Sequence, residues 1–121
     1  MPLLSVRFTQ AADKQMNDIL DWSESAFGAG QRARYEALII QALQDLAQDP
    51  RRPGASIVGR HIRYHLRHSR EHVPHNVGRV RTPRHAIVAR IDGGTLVIVA
   101  LIHDRMEQEV IRRIEESERE L

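Results

Sequence analysis

In the middle of this chain the apolar residues change their spacing, and that change sets a pair of helices before the main run of strands. Ala12, Met16, Ile19, Leu20, Ser23 and Phe27 recur three and four residues apart, which is one face of an amphipathic helix. Tyr35, Leu38, Ile39, Ala42, Leu43 and Leu46 repeat the pattern in a second helix, about Gln31 to Gln48. From Arg60 onward the period falls to two. Ile62, Tyr64 and Leu66 alternate with His61, Arg63, His65 and Arg67, so a strand has one apolar face and one row of cations.

Local signals set the boundaries. Leu3–Phe8 reads as a first strand, and Thr9 can cap the following helix, with Asp13 complementing its dipole. Gly28-Ala29-Gly30 ends that helix and Asp49-Pro50 stops the next, giving a helical hairpin. Arg51-Arg52-Pro53-Gly54 opens a loop, and residues 68–83, with Pro74 and Pro83, read as another. His85–Ile91 and Leu96–Ile102 are strands joined by a tight Asp92-Gly93-Gly94 turn, the second of them apolar enough to be covered on both faces. Asp104 and Glu107 resemble an N-cap pair for a last helix, Arg105 to about Arg119, carrying Met106, Val110, Ile111, Ile114 and Leu121.

The predicted order is strand, helix, helix, three strands, helix. This is an α+β fold with an N-terminal strand and helical hairpin on a small, mainly antiparallel sheet, plus a C-terminal helix. At 121 residues one domain is expected, taken as 1–106, with 107–121 as a helical extension. No apolar run reaches the roughly 18 residues of a membrane helix, and the N-terminal run is too short for a signal peptide, so a cytoplasmic protein without membrane contact is expected.

Charge is segregated behind a net value of +2. Residues 1–50 carry four cations and seven anions, residues 51–90 ten Arg and the single Glu71, and residues 91–121 four Arg and eight acids, hence −3, +9 and −4. Six of the seven His also fall in the cationic centre. Such a centre favours an anionic partner, nucleic acid or acidic peptide. The absence of Cys excludes a disulfide framework, a Cys-ligated metal site and a thiol nucleophile.

Gly28-Ala29-Gly30-Gln31-Arg32-Ala33 has the form of a dinucleotide-binding turn, but it follows a helix where that site needs a strand, so it reads as a helix turn. His61 and His65 are spaced like metal ligands on a helix, yet lie on a strand, where four residues span about 13 Å. No metal or cofactor is expected. His103-Asp104 can be a metal site, a general base with its orienter, or a strand end and helix cap, the cap being the simplest. The cations Arg60, Arg63, Arg67, Arg79, Arg81, Arg84 and Arg90 suit phosphate contact, and equally suit a solvated face or one neutralised by the acidic last helix. There is little aromatic interleaving, so stacking of single-stranded bases has little support in the sequence.

Several words, taken together, resemble the RelE/ParE superfamily of bacterial toxin–antitoxin toxins, most of all its ParE branch. They are Asp18-Ile19-Leu20-Asp21-Trp22, Phe27-Gly28 with Arg34-Tyr35, Leu46-Ala47 with Asp49-Pro50, Ile62-Arg63-Tyr64-His65-Leu66, Arg84-His85-Ala86-Ile87-Val88, and Val97 through Met106. Ala89 stands where the family often has an aromatic residue. The resemblance covers roughly residues 3–106 and implies a toxin paired with a ParD-like antitoxin from the same operon, as a hetero-oligomer. It further implies DNA gyrase as target and a plasmid-stabilising role, with mRNA cleavage on the ribosome, or a nontoxic partner-binding member, as alternatives. The antitoxin- or target-binding set is then Arg60, Arg63, His65, Arg67, Arg81, Arg84 and Arg90. An improvised nuclease site would use His85, His103, Arg63 and Arg84.

Overall fold

A computed structural model describes residues 3–119. Its elements in chain order are β1 (Ser5–Phe8), α1 (Gln10–Phe27), α2 (Ala29–Gln48), β2 (Ala55–Val58), β3 (His61–His65), a 3₁₀ segment (Leu66–His72), β4 (His85–Asp92), β5 (Thr95–His103), a 3₁₀ turn (Asp104–Met106) and α3 (Glu107–Arg119). The five strands form one sheet in the order β1-β5-β4-β3-β2, with β1 parallel to β5 and every other pair antiparallel. None of the described helices is long and apolar enough to cross a membrane.

The helical hairpin forms where the apolar spacing puts it. Thr9 Oγ1 accepts the Ala12 amide at 3.1 Å and so caps α1. A single residue, Gly28, joins α1 to α2. Its φ of 93° is a conformation that suits glycine, so the chain reverses without a loop. Leu20 of α1, and Leu38, Ile39, Ala42 and Leu46 of α2, are buried against Ile62, Tyr64, Ile87, Leu96 and Ile98 of the sheet. These form the main core.

β5 is an interior strand between β1 and β4, covered on both faces, and so is apolar on both. It switches parity at Val99, because Val88 pairs with Ala100 and Ala89 with Ile98, leaving Val99 as a bulge. Leu96, Ile98 and Leu101 therefore share the hairpin side, while Ile102 and Ala100 turn to the outer face with Ala86 and Val88. β1 ends at Phe8, opposite Ile98, so the β5 edge beyond it has no strand partner on that side. Two α1 side chains serve it. Thr9 Oγ1 donates to the Val99 carbonyl at 3.2 Å, and Gln15 Oε1 accepts the Leu101 amide at 2.9 Å.

The structure corrects five local expectations. There are four strands after the hairpin, not three: Ala55–Val58 was expected as loop because four residues on a sheet edge after Pro53-Gly54 show no alternation. Leu66 leaves the strand for a 3₁₀ segment that runs to His72, inside the stretch expected to be irregular. α2 begins at Ala29, two residues early. The last-helix cap is not Asp104: His103 Nδ1 accepts the Arg105 amide at 3.1 Å, and Asp104 opens a 3₁₀ turn. Phe27 shares the spacing of the buried α1 face but sits one turn past the sheet and is 65% exposed. Leu121, expected on the apolar face of the last helix, lies outside the described residues.

α3 covers the outer sheet face. Val110 and Ile114 rest on Ala86, Val88 and Ile102, yet no α3 residue is fully buried. Its solvent side is laced by Arg112 to Glu109 at 2.8 Å and to Glu116 at 2.6 Å, exposed pairs one helical turn apart.

Candidate functional site

The basic residues fall on two faces, because neighbours along a strand point in opposite directions. On β3, Ile62 and Tyr64 enter the main core, while Arg63 and His65 point outward, beside Val88 and Ala86 of β4. Arg90 continues this outer row along β4, and Arg60 sits in the β2–β3 turn. α3 lies across the row and supplies acids to it. Arg63 Nη1 donates to Glu107 Oε2 at 2.8 Å, and the Arg60 amide donates to Glu118 Oε1 at 2.9 Å. His65 is buried, with Nδ1 accepting the Arg67 amide at 3.1 Å and Nε2 3.7 Å from Asp104 and 3.9 Å from Glu107. Burial, then the charge of Arg67, lowers the His65 pKa, against the pull of Glu107 and Asp104. Arg67 itself is exposed on the 3₁₀ segment.

The second face lies on the hairpin side, at the open end of the sheet. His85 begins β4 and pairs with His103 at the end of β5, their rings 5.3 Å apart and nearly perpendicular. Tyr35 reaches down from α2. Its Oη accepts the Arg84 amide at 3.1 Å and lies 2.6 Å from His85 Nδ1. The bond runs either from the hydroxyl to a bare Nδ1 or from Nδ1–H to the second lone pair of the hydroxyl, according to the His85 tautomer. Burial raises the Tyr35 pKa to about 12 and lowers that of His85 to about 4, the latter helped by His103. At neutral pH the pair is therefore an uncharged hydrogen-bonded unit.

Above this pair opens a groove of about 570 Å³, lined by Trp22, Phe27, Tyr35, Arg34, Arg81 and Arg84 among others. Trp22 and Phe27 stand edge to face with centroids 5.5 Å apart, and Trp22 is 59% exposed. A side cleft continues from Trp22 past Arg84 to His85 and His103.

The expected binding set is thus divided. Arg60, Arg63, His65 and Arg90 belong to the outer face, Arg81 and Arg84 to the groove, and Arg67 to neither. Of the expected nuclease set, His85, His103 and Arg84 come together, while Arg63 lies on the opposite side of the sheet. Sequence reasoning passed over Trp22, Phe27 and Tyr35. Trp22 did carry a signal, since a large aromatic off the apolar stripe of an amphipathic helix has no core to enter.

A third polar cluster is structural. Ser69 Oγ donates to Asp45 Oδ2 at 2.6 Å, Tyr64 Oη lies 2.8 Å from Ser69 Oγ, and His72 Nδ1 is 2.8 Å from Asp45 Oδ2. It ties the 3₁₀ segment to α2.

Two solved structures share the fold. A chain described as the chromosomal ParDE TA system from P. aeruginosa is similar with a TM-score of 0.55 at 14% identity, over 84% of this chain and 96% of that one. A chain of the toxin–antitoxin complex RelBE2 from Mycobacterium tuberculosis gives 0.50 at 18% identity, over 84% and 99%. No curated protein matches. The sequence family described as the ParE toxin of type II toxin-antitoxin system, parDE, matches residues 6–108. Since that match spans most of the chain, from β1 into the start of α3, the protein belongs to the ParE toxin family of type II toxin–antitoxin systems.

Proposed function

We propose that this protein is a toxin that acts by binding DNA gyrase and is silenced by a ParD-like antitoxin whose acidic, amphipathic segment lies on the outer sheet face. One observation carries the antitoxin part of this reading. The outer face already holds an acidic amphipathic helix, α3, through Arg63–Glu107, Arg60–Glu118 and the half-buried Val110 and Ile114. An antitoxin segment of the same chemistry competes with α3 for that seat. α3 gives way readily because none of its residues is fully buried.

The non-enzymatic mode draws support from the chemistry at the end of the sheet. RNA cleavage needs a proton donor and acceptor near neutral pH. His85 is no proton donor there and only a weak acceptor, because burial lowers its pKa to about 4.

The test is expression in bacteria with and without the short neighbouring reading frame. Growth arrest with trapped cleaved DNA and a DNA-damage response, relieved by the neighbour, is the expected outcome. New transcript 5′ ends without effect on supercoiling would replace gyrase by RNA. Binding of the purified antitoxin should weaken in Arg63→Glu with a marked salt dependence. Unchanged affinity removes the outer face from the interface.

A further inference from the structure

We propose that the groove at the open end of the helical hairpin binds an unpaired stretch of nucleic acid, with a base stacked on Trp22 and phosphates held by Arg81 and Arg84 beside the imidazole of His85. This surface is separate from the outer face and stands whether or not the antitoxin sits there.

Three observations meet at this place. The first is a polar side chain held in place. His85 is only 9% exposed, is fixed through Nδ1 by Tyr35, and lines both the groove and the side cleft. A rigid, neutral imidazole at the floor of a cleft offers a fixed polar contact to a bound strand. The second is charge. Arg34, Arg79, Arg81 and Arg84 line the groove and, among the described residues, no carboxylate does. Asp18 lines only the side cleft and is paired with Lys14 at 2.8 Å, while Asp104 stands 3.8 Å from Arg84 and leaves that guanidinium largely in solvent. Arg79 bonds Glu71 at 3.1 Å, and its buried Nε has no acceptor among the described residues.

The third observation is the exposed aromatic pair. Trp22 and Phe27 present flat rings at the rim, which is the combination of stacking platform and cationic track that unpaired strands use. An acidic helix would instead want aliphatic, half-buried positions to rest on, and those occur on the outer face under α3. The fold creates the combination by placing the end of α1 beside residues 79–85, more than fifty positions away in sequence.

Trp22 is the single tryptophan, so its fluorescence reads the site directly. The purified protein is titrated with short oligothymidylate and oligouridylate at low and moderate salt, and with an acidic amphipathic peptide. Quenching by an oligonucleotide is expected, with a midpoint that rises several-fold with salt. Stronger quenching by oligouridylate assigns the strand as RNA, and by oligothymidylate as DNA. The double variant Arg81→Glu, Arg84→Glu should bind about tenfold more weakly with an unchanged circular dichroism spectrum. Trp22→Leu, followed by anisotropy of a labelled oligonucleotide, should lose a similar factor. Absence of quenching by both oligonucleotides, quenching by the peptide alone, or full affinity in the double variant overturns the proposal.

Discussion

The hydroxyl of Tyr35 lies 2.6 Å from Nδ1 of His85 and joins α2 to the first residue of β4 across fifty positions of chain. The same oxygen receives the Arg84 amide at 3.1 Å. Tyr35→Phe removes both bonds and leaves an amide and a ring nitrogen buried without partners. It should lower stability by about 1–3 kcal/mol in urea denaturation. Nitrogen NMR of the imidazoles reads which His85 tautomer the Tyr35 bond selects.

His85 makes stability depend on mildly acidic pH. Its folded pKa, about 4, lies below the ordinary 6.5 because burial disfavours the cation. The unfolded chain therefore binds the proton first. The stabilisation is complete above pH 6.5 and is lost as pH falls from there toward 4, at most on the order of 3 kcal/mol. His65 is also lowered and adds loss of the same sign. In denaturation from pH 7 downward, His85→Gln should flatten much of this slope.

Asp45 adds a separate loss at lower pH. Burial pushes its carboxyl upward, but hydrogen bonds from Ser69, His72 and Gln41 and the charge of Arg52 outweigh that and hold it below the usual 3.8. Its stabilisation is present above 3.8 and disappears as pH drops through the depressed folded value. Asp45→Ala strands Ser69 and His72 and should cost about 3 kcal/mol at pH 7. Proteolysis should then open the chain first near the 3₁₀ segment.

Gln15 supplies the acceptor that the β5 bulge lacks. Gln15→Leu leaves the Leu101 amide, now bonded at 2.9 Å, without a partner and should cost about 1–2 kcal/mol. Hydrogen exchange at Leu101 should accelerate while that of Ile98, paired with β1, changes little. Equal acceleration at both would mean that the effect is global.

Gly59 is the seat for the end of α3. Its φ is 59°, and a Cβ there would run into the Glu118 carboxylate. Gly59→Ala should cost about 1–2 kcal/mol through the left-handed backbone alone. It should also expose the Arg60 amide, which now donates to Glu118 at 2.9 Å. Exchange at that amide reports whether α3 has let go, and the competition proposed above predicts tighter antitoxin binding by this variant.

The sequence by itself determined the layers of this protein. Helical spacing from Ala12 to Leu46, alternation from Arg60 and the apolar run at Leu96–Ile102 each reflect local geometry, so the helical hairpin, β3, β4 and β5 were legible. The short edge strand β2 was not, because its pairing with β3 lies outside its own four residues. The segregation of charge was equally plain, but its use was not. Only the tertiary structure decided that α3 neutralises Arg63 and bonds the Arg60 amide, that Arg81 and Arg84 face a different side, and that Trp22, Phe27, Tyr35 and His85 meet. The physical reason is that periodicity records which face of an element is buried. Which elements then stand face to face depends on packing and on hydrogen bonds between residues far apart in the chain, such as Tyr35–His85 and Arg63–Glu107.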